Sequence, residues 1–304
     1  MALRNIVSAQ DGPRVTVNTL VKSPGMVPKR VVRSLQNQFI ADTLLRDGGD
    51  APGGVVGFTE SDPLFPVGSV GIKEEFGEYP IIYGQEGEPK VATAINRGFS
   101  ILVSEDMRRR NSMDRVNKQM MQGRNLMIKT WDQVVRDSIL LNGSIPTLPA
   151  TAVWSNNTTA RIRTDLLAAK FALEGAVSGG QAENFLGFTA DTAVMSRNTA
   201  NNMLGNDLFA SIYTDGLAAQ NPKYTGTLPQ QVYGLTILVS WTWPDNRVLV
   251  CEKNTLGFIA DERPLRSTEL YPEKRSTEVW RSDTSRISAI GIDQPQAAVL
   301  ITGT

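Results

Sequence analysis

Apolar and polar residues alternate with a period of two over residues 70–103, and the period then lengthens toward 3.6 over residues 104–143. In the first stretch Val70, Ile72, Phe76 and Ile82 share one parity. Lys73, Glu75 and Tyr79 take the other, as in a strand with two distinct faces. Gly84-Gln85-Glu86-Gly87 reads as a turn, since two glycines can take positive φ there. The return strand then places Val91, Ile95, Phe99, Ile101 and Val103 on one parity. Two strands alone are marginal in water, so this hairpin is expected to pack on a neighbour. The helical stretch opens with Ser104 as N-cap and with Glu105 and Asp106 in the first turn, where the helix dipole favours negative charge. Asn142-Gly143 is its stop signal. Met113, Val116, Met120, Met127, Trp131 and Val134 form an apolar stripe. Unbroken, this helix would be ~57 Å long, with Gly123 as a weak point near its middle.

Upstream, the two prolines of SPGMVPK favour extended chain, and a short helix is predicted near Val31–Leu45. The segment reads as an arm lying on something else. Residues 48–57 (GGDAPGGVVG) are glycine-rich but lack the following helix of a phosphate-binding loop, so they read as a hinge that includes Gly53 and Gly54. Downstream, a helix is predicted at Asp165–Val177, capped by Thr164 or Asp165 and ended by Gly179-Gly180. A strand follows at 185–195 and a polar helix at Arg197–Tyr213. After a loop-rich stretch come the strands LTILVSW and RVLVCEK, then short strands and turns. The fold class is α+β.

With 41% apolar and 20% charged residues the chain is globular rather than disordered. Its 31 basic and 31 acidic residues balance, so no net field draws it to nucleic acid. On the long helix, however, Arg108, Arg109, Arg110, Arg115, Lys118 and Arg124 outnumber the acids. They read either as a partner-facing surface, toward acidic neighbours or DNA, or as a solvated flank. Histidine is absent, which removes serine–histidine and cysteine–histidine catalysis and most catalytic zinc sites. What remains for an enzyme is carboxylate chemistry, with Asp261 and Glu262 in ADERPL as candidates, although a surface turn before Pro264 is the plainer reading. Cys251, the sole cysteine, reads as a buried strand residue. No metal site or cofactor is implied. Residues 1–14 hold no apolar run of leader length, and no run approaches the ~20 apolar residues of a membrane span, so a cytosolic chain is expected. The glycosylation triplets at Asn156 and Asn157 then carry no weight.

The order of elements resembles that of tailed-bacteriophage major capsid proteins of the Hong Kong 97-type fold. Two junctions carry the likeness: VATAINRGFSILVSEDMRRRNSMDRV running on to RDSILLNGS, and GFIADERPLRSTELYPEK followed by EVWRSDTSRISAIGIDQPQAAVLITG. It covers essentially residues 30–304. The resemblance implies an N-terminal arm (1–54), an extended hairpin loop across a neighbouring subunit (55–100), and a peripheral domain with the long spine helix (101–180). It further implies an axial domain (181–264), with Thr214–Gly234 as an axial loop, and a return to the peripheral domain (265–304). Lys73, Glu75, Tyr79, Glu86 and Lys90 are the implied inter-subunit residues of the loop, and Gly53, Gly54 and Gly123 the implied hinges of maturation. Some relatives join subunits through a lysine–asparagine bond, but neither the partner asparagine nor the catalytic carboxylate is identifiable here, so noncovalent contact is expected. The implied function is self-assembly, as pentamers and hexamers, into the icosahedral shell that encloses double-stranded phage DNA without specific binding. Implied partners are a separate scaffold protein, a portal and decoration proteins, with no membrane. Assembly would occur in the bacterial host cytoplasm and the product would be the virion. Two alternatives stand beside this reading: an encapsulin-like nanocompartment shell, and a histidine-free enzyme.

Overall fold

The computed structural model describes residues 16–36, 38–61, 65, 70–73, 75–178, 184–210, 228–273 and 278–304. In chain order these form α1 (Val17–Lys22), α2 (Met26–Leu35), α3 (Ala41–Leu44), β1 (Arg46–Asp50), β2 (Val55–Glu60), β3 (Glu88–Thr93) and β4 (Ile95–Ser104). Next come α4 (Glu105–Arg109), α5 (Met113–Leu140), β5 (Thr147–Pro149), α6 (Ile162–Glu174), β6 (Thr192–Ser196), α7 (Arg197–Gly205) and α8 (Asp207–Ala210). The remainder comprises β7 (Gln231–Val232), β8 (Leu235–Ser240), β9 (Arg247–Cys251), β10 (Phe258–Ser267), β11 (Tyr271–Pro272), β12 (Val279–Gly291) and β13 (Ala298–Thr302).

One sheet is organised by β12. It pairs antiparallel with β4 from Val279↔Ser104 to Ser288↔Ile95, and on its other side with β10 and β11. β1 lies parallel along β10, so the first glycines of the 48–57 run belong to a strand. ADERPL is also strand rather than a turn. The β10 register shifts between Asp261 and Arg263 and again between Arg263 and Arg266, around Pro264, which has no N–H to give the ladder.

A helical layer covers one face of this sheet, with α5 over β4 and α2 over β10 and β12. α2 starts at Met26, not near Val31. Pro28 falls in the first turn, where a backbone N–H has no intrahelical acceptor and none is missed. The segment expected to lie as an arm on something else instead buries Val17, Leu20, Val31, Phe39 and Leu44 in the chain's main core.

The long helix is broken. Ser104 caps α4 as expected, its side chain accepting from Met107 N at 3.3 Å. The chain then turns out of helix at Asn111, whose φ is +48°, and restarts at Met113. Asn111 Oδ1 accepts from Val17 N at 2.9 Å, so the break joins the spine to α1. The continuous part has 28 residues, or ~42 Å. Val116, Met120, Met127 and Trp131 of the stripe are buried, but beyond Trp131 the buried apolar positions are Val135 and Ile139 rather than Val134.

Gly123 lies inside this continuous helix. A Cβ there would sit 2.3 Å from Phe99 Cε2, so the missing side chain is what lets β4 approach the spine. Gly123→Ala is expected to destabilise the subunit by about 1–2 kcal/mol, overpacking outweighing the gain in helix propensity. Urea unfolding of the unassembled chain checks this, and a stabilised variant would refute it.

The second sheet runs β5-β13-β9-β6-β8-β7. Its inner strands β6, β9 and β13 are buried almost throughout because both of their faces are covered. Val248 and Val250 face a core shared with α6 and α7, whereas Leu249 and Cys251 face the spine core. Burial raises the pKa of the Cys251 thiol well above its usual value. β13 joins this sheet beside β9, and residue 264, the expected domain boundary, lies within β10. The helix expected at Asp165–Val177 is α6. Asp165 lies in its first turn and is not its cap; the buried carboxylate accepts from Trp154 Nε1 and Thr151 N, each at 3.0 Å. Gly179-Gly180 and most of the Thr214–Gly234 loop fall outside the described residues.

Candidate assembly surfaces

The projecting ribbon differs from the expected hairpin in its first strand. β3 pairs not with residues 70–82 but with β2, in register Val55↔Thr93 to Glu60↔Glu88. Alternation marked 70–82 as extended chain, but Pro80 lacks a donor, and alternation carries no information about a pairing partner. Gly53 and Gly54, at φ +88° and +72°, form the turn into β2, a conformation that suits glycine. On the sheet face opposite the helices, Phe58 meets Phe258 edge-on at 5.3 Å.

Glu60 fixes the ribbon's root. Its buried carboxylate accepts from Asn142 Nδ2 at 2.7 Å and from Ser144 Oγ at 3.2 Å, and it pairs with Lys90. Burial acts to raise its pKa, but the hydrogen bonds from Lys90 and Asn142 outweigh that and hold it below the usual carboxylate value. The ribbon is thereby tied to the end of the spine.

Beyond this root, residues 70–73 and 75–86 are exposed. The reversal is a turn at Glu75–Phe76, with Phe76 at φ +71°, and Gly71 lies against Pro80. The tip is therefore here, not at Gly84–Gly87. Val70, Ile72 and Phe76 are 92%, 100% and 98% exposed, and Tyr79, Ile81 and Tyr83 are exposed too. A bulky residue at positive φ costs about 1–3 kcal/mol, and no core of its own chain covers Phe76. Contiguous exposed apolar residues of this kind mark an interaction surface.

The five loop residues separate by position. Glu75 stands at the tip. Lys73 and Tyr79 face each other across the outer loop, Nζ lying 5.0 Å from the ring centroid. Glu86 is exposed two residues before β3, near the root, and Lys90 is engaged by Glu60. Residues that sequence reasoning missed are Glu60, whose partners lie 82 and 84 positions away, and, from the exposed apolar set of the loop, Ile81 and Tyr83. The signal for that set was present, because both parities of 70–83 carry apolar side chains.

Asp261, the carboxylate considered for catalysis, is tied into the fold. Arg286 donates to it through Nε and Nη2, both at 3.1 Å, and through Nη1 to Asp42 at 3.3 Å. Ser288 also donates to Asp261. The Arg286 guanidinium lies 5.5 Å from the Phe39 ring centroid and 5.7 Å from that of Trp131. This cluster links the N-terminal helices, the spine and the sheet.

A groove of about 660 Å³ opens between the α2–α3 connection, α5 and the end of β8, lined by Phe39, Ile40, Asp132 and Trp241 among others. Burial pushes the Asp132 carboxyl up to about 6, against the backbone N–H of Ile40 and with help from Asp42. Its folded-state pKa exceeds the unfolded one. Its contribution is thus fully present below the ordinary carboxylate pKa and is lost as pH rises through about 6. Asp132→Asn keeps the acceptor for Ile40 and is expected to stabilise the subunit by about 1–2 kcal/mol at neutral pH, with the gain fading toward pH ~4. Urea midpoints of both proteins across that range test this, and a pH-independent difference would contradict it.

Comparison with known proteins accounts for this architecture. A family model described as phage capsid protein matches residues 87–301. The chain belongs to the phage capsid protein family. No curated protein matches it by sequence. The capsid of the cyanophage P-SCSP1u is similar with a TM-score of 0.62 at 14% identity, over 87% of this chain and 88% of that one. A virus-like particle from Pyrococcus furiosus is similar with a TM-score of 0.59 at 12% identity, over 92% of this chain and all of that one. The capsid of Myoviridae phage XM1 gives 0.56 at 12% identity, over 89% and 91%. These likenesses establish the Hong Kong 97-type fold. This capsid protein is a major shell component and a structural protein of the virion. Among its described residues no helix is long and apolar enough to cross a membrane.

Proposed function

We propose that this major capsid protein assembles as pentamers and hexamers into an icosahedral head enclosing double-stranded DNA, and that its extended segment reaches across a neighbouring subunit. The exposed apolar tip carries this reading. Ile72 and Phe76 are almost wholly solvated in the single chain, and burying each on a neighbour would contribute about 1.5–3 kcal/mol. Modest contacts repeated over closed symmetry then suffice for a stable shell. Lys73, Glu75 and Tyr79 surround that tip and would set its register on the neighbour, with Glu86 and Lys90 nearer the root. Gly53 and Gly54 are the positions about which the ribbon would swing during maturation, with Gly123 as a second point of bending. A separate scaffold protein, a portal and decoration proteins complete the assembly, which takes place in the host cytoplasm. The axial centres would be formed by residues between 181 and 264.

Electron microscopy with light scattering on the purified protein, alone and co-expressed with a scaffold, tests this reading. Closed shells or tubes are expected. A discrete small oligomer under both conditions would overturn it, and shells that hold a protein cargo instead of DNA would favour a nanocompartment.

A further inference from the structure

The chain has no net charge, but its charge is segregated in space. Residues 16–36 and 105–129, which form most of the helical layer, contain eleven Lys and Arg against three Asp and Glu. One of those acids, Glu105, is occupied by Arg108 and Arg109. α2 and α5 lie side by side on one face of the β12 sheet, so the sides they turn away from it form one surface. On α2, Lys29 and Arg33 are exposed one turn apart, opposite the buried Val27, Val31 and Leu35. On α5, Arg115, Lys118 and Lys129 fall within about 60° of one another at 100° per residue, opposite Val116, Met120 and Met127. These three span ~21 Å of helix; uncharged Gln122 lies between them on that face, with Asn125 and Leu126 flanking it. Among the described residues, none of Lys29, Arg33, Arg115, Lys118 and Lys129 has an ion-pair partner.

We propose that this surface faces the lumen and meets the phosphates of packaged double-stranded DNA without reading sequence. The proposal rests on the shell reading above. A protein partner would need apolar anchors at the centre of its contact, whereas the exposed groups of this face are cationic and polar, with Met121 and Leu126 at its margins. Unpaired cations along ~21 Å suit a polymer with one charge per ~3.4 Å on each strand. The rest of the chain carries 20 Lys and Arg against 28 Asp and Glu, and that acidic excess keeps the hold weak, as a cargo that must leave requires.

The test is fluorescence anisotropy of the unassembled chain with a random-sequence duplex of about 30 base pairs, titrated between about 50 and 200 mM salt. Wild type is compared with a quadruple neutral variant (Lys29→Gln, Arg33→Gln, Arg115→Gln, Lys118→Gln) and with the same four positions changed to Glu. A control carries Arg163→Glu, Lys253→Glu and Arg266→Glu, which are exposed cations elsewhere. Salt-dependent binding by wild type is expected, at least about tenfold weaker in the neutral variant and with a salt slope lower by about 0.9 for each phosphate that is no longer neutralised. The control should keep the wild-type affinity and slope. No binding by wild type at low salt, or equal binding by the neutral variant, would overturn the proposal. So would tighter binding of a poly-glutamate peptide of matched charge, which would assign the face to an acidic protein segment. Thermal melts show whether each variant is folded, and micrographs separate the two readings. Intact shells with no DNA affinity sink only this inference, whereas wild type that forms no shell with scaffold sinks the reading beneath it.

Discussion

Arg286→Ala is expected to cost the unassembled subunit about 3–5 kcal/mol, because a buried ion-pair partner is removed and its carboxylates are left behind. Asp261 would lose a two-bond partner and Asp42 its cation, both in surroundings drier than bulk water. Two aromatic contacts go with them, at Phe39 and Trp131, each worth about 0.5–2 kcal/mol where the cation is desolvated. Arg97 stands directly across the ladder and already lies over Trp131, but it belongs to β4 and has no carboxylate of this cluster within bonding distance. Arg286→Lys retains the charge but not the paired geometry, so it should fall between wild type and alanine. Urea unfolding gives the ordering directly. A loss below about 1 kcal/mol for the alanine variant would mean that the cluster is decorative.

The loop tip should behave in the opposite way. Ile72→Ser, Phe76→Ser and Ile81→Ser together are expected to leave the isolated subunit within about 0.5 kcal/mol of wild type, since these side chains have little burial to lose. Assembly should nevertheless fail. Three apolar side chains at about 1.5 kcal/mol or more each amount to a thousandfold or greater weakening of each subunit interface. Thermal melts matched with micrographs of scaffold co-expression check both halves. Normal shells from the triple variant would show that the tip is not an adhesive surface.

Much of the fold was legible from periodicity. The 3.6-residue stripe located the spine to within a few residues, and the apolar runs LTILVSW and RVLVCEK became β8 and β9, because local pattern and tertiary burial agree there. What stayed hidden was long-range. The break at Asn111 depends on Val17, 94 positions away, and nothing in RRRNSM forbids helix. The pairing of β2 with β3 spans an excursion of 27 residues, and a strand's alternation does not name its partner. Pro28 misleads because a proline three residues into a helix and one in extended chain look alike without the cap. The ion pair around Asp261 required β10 and β12 to be aligned, and only the register supplies that. For the assembly surface, the expected ribbon existed but its tip lay about ten residues earlier, since Phe76 takes a positive φ that sequence assigns first to glycine.

The place of β13 bears on how the subunit is made. It lies inside the sheet, between β5 and β9, so β9 has an open edge until residues 298–302 have left the ribosome. At about 5–20 residues per second, the 46 residues that separate β9 from β13 take on the order of 2–9 s, during which Leu249 and Val250 lack their neighbour. A chain interrupted before Ala298 cannot close its core. Closure of this core thus waits on β13, the last of the sheet's strands to be made.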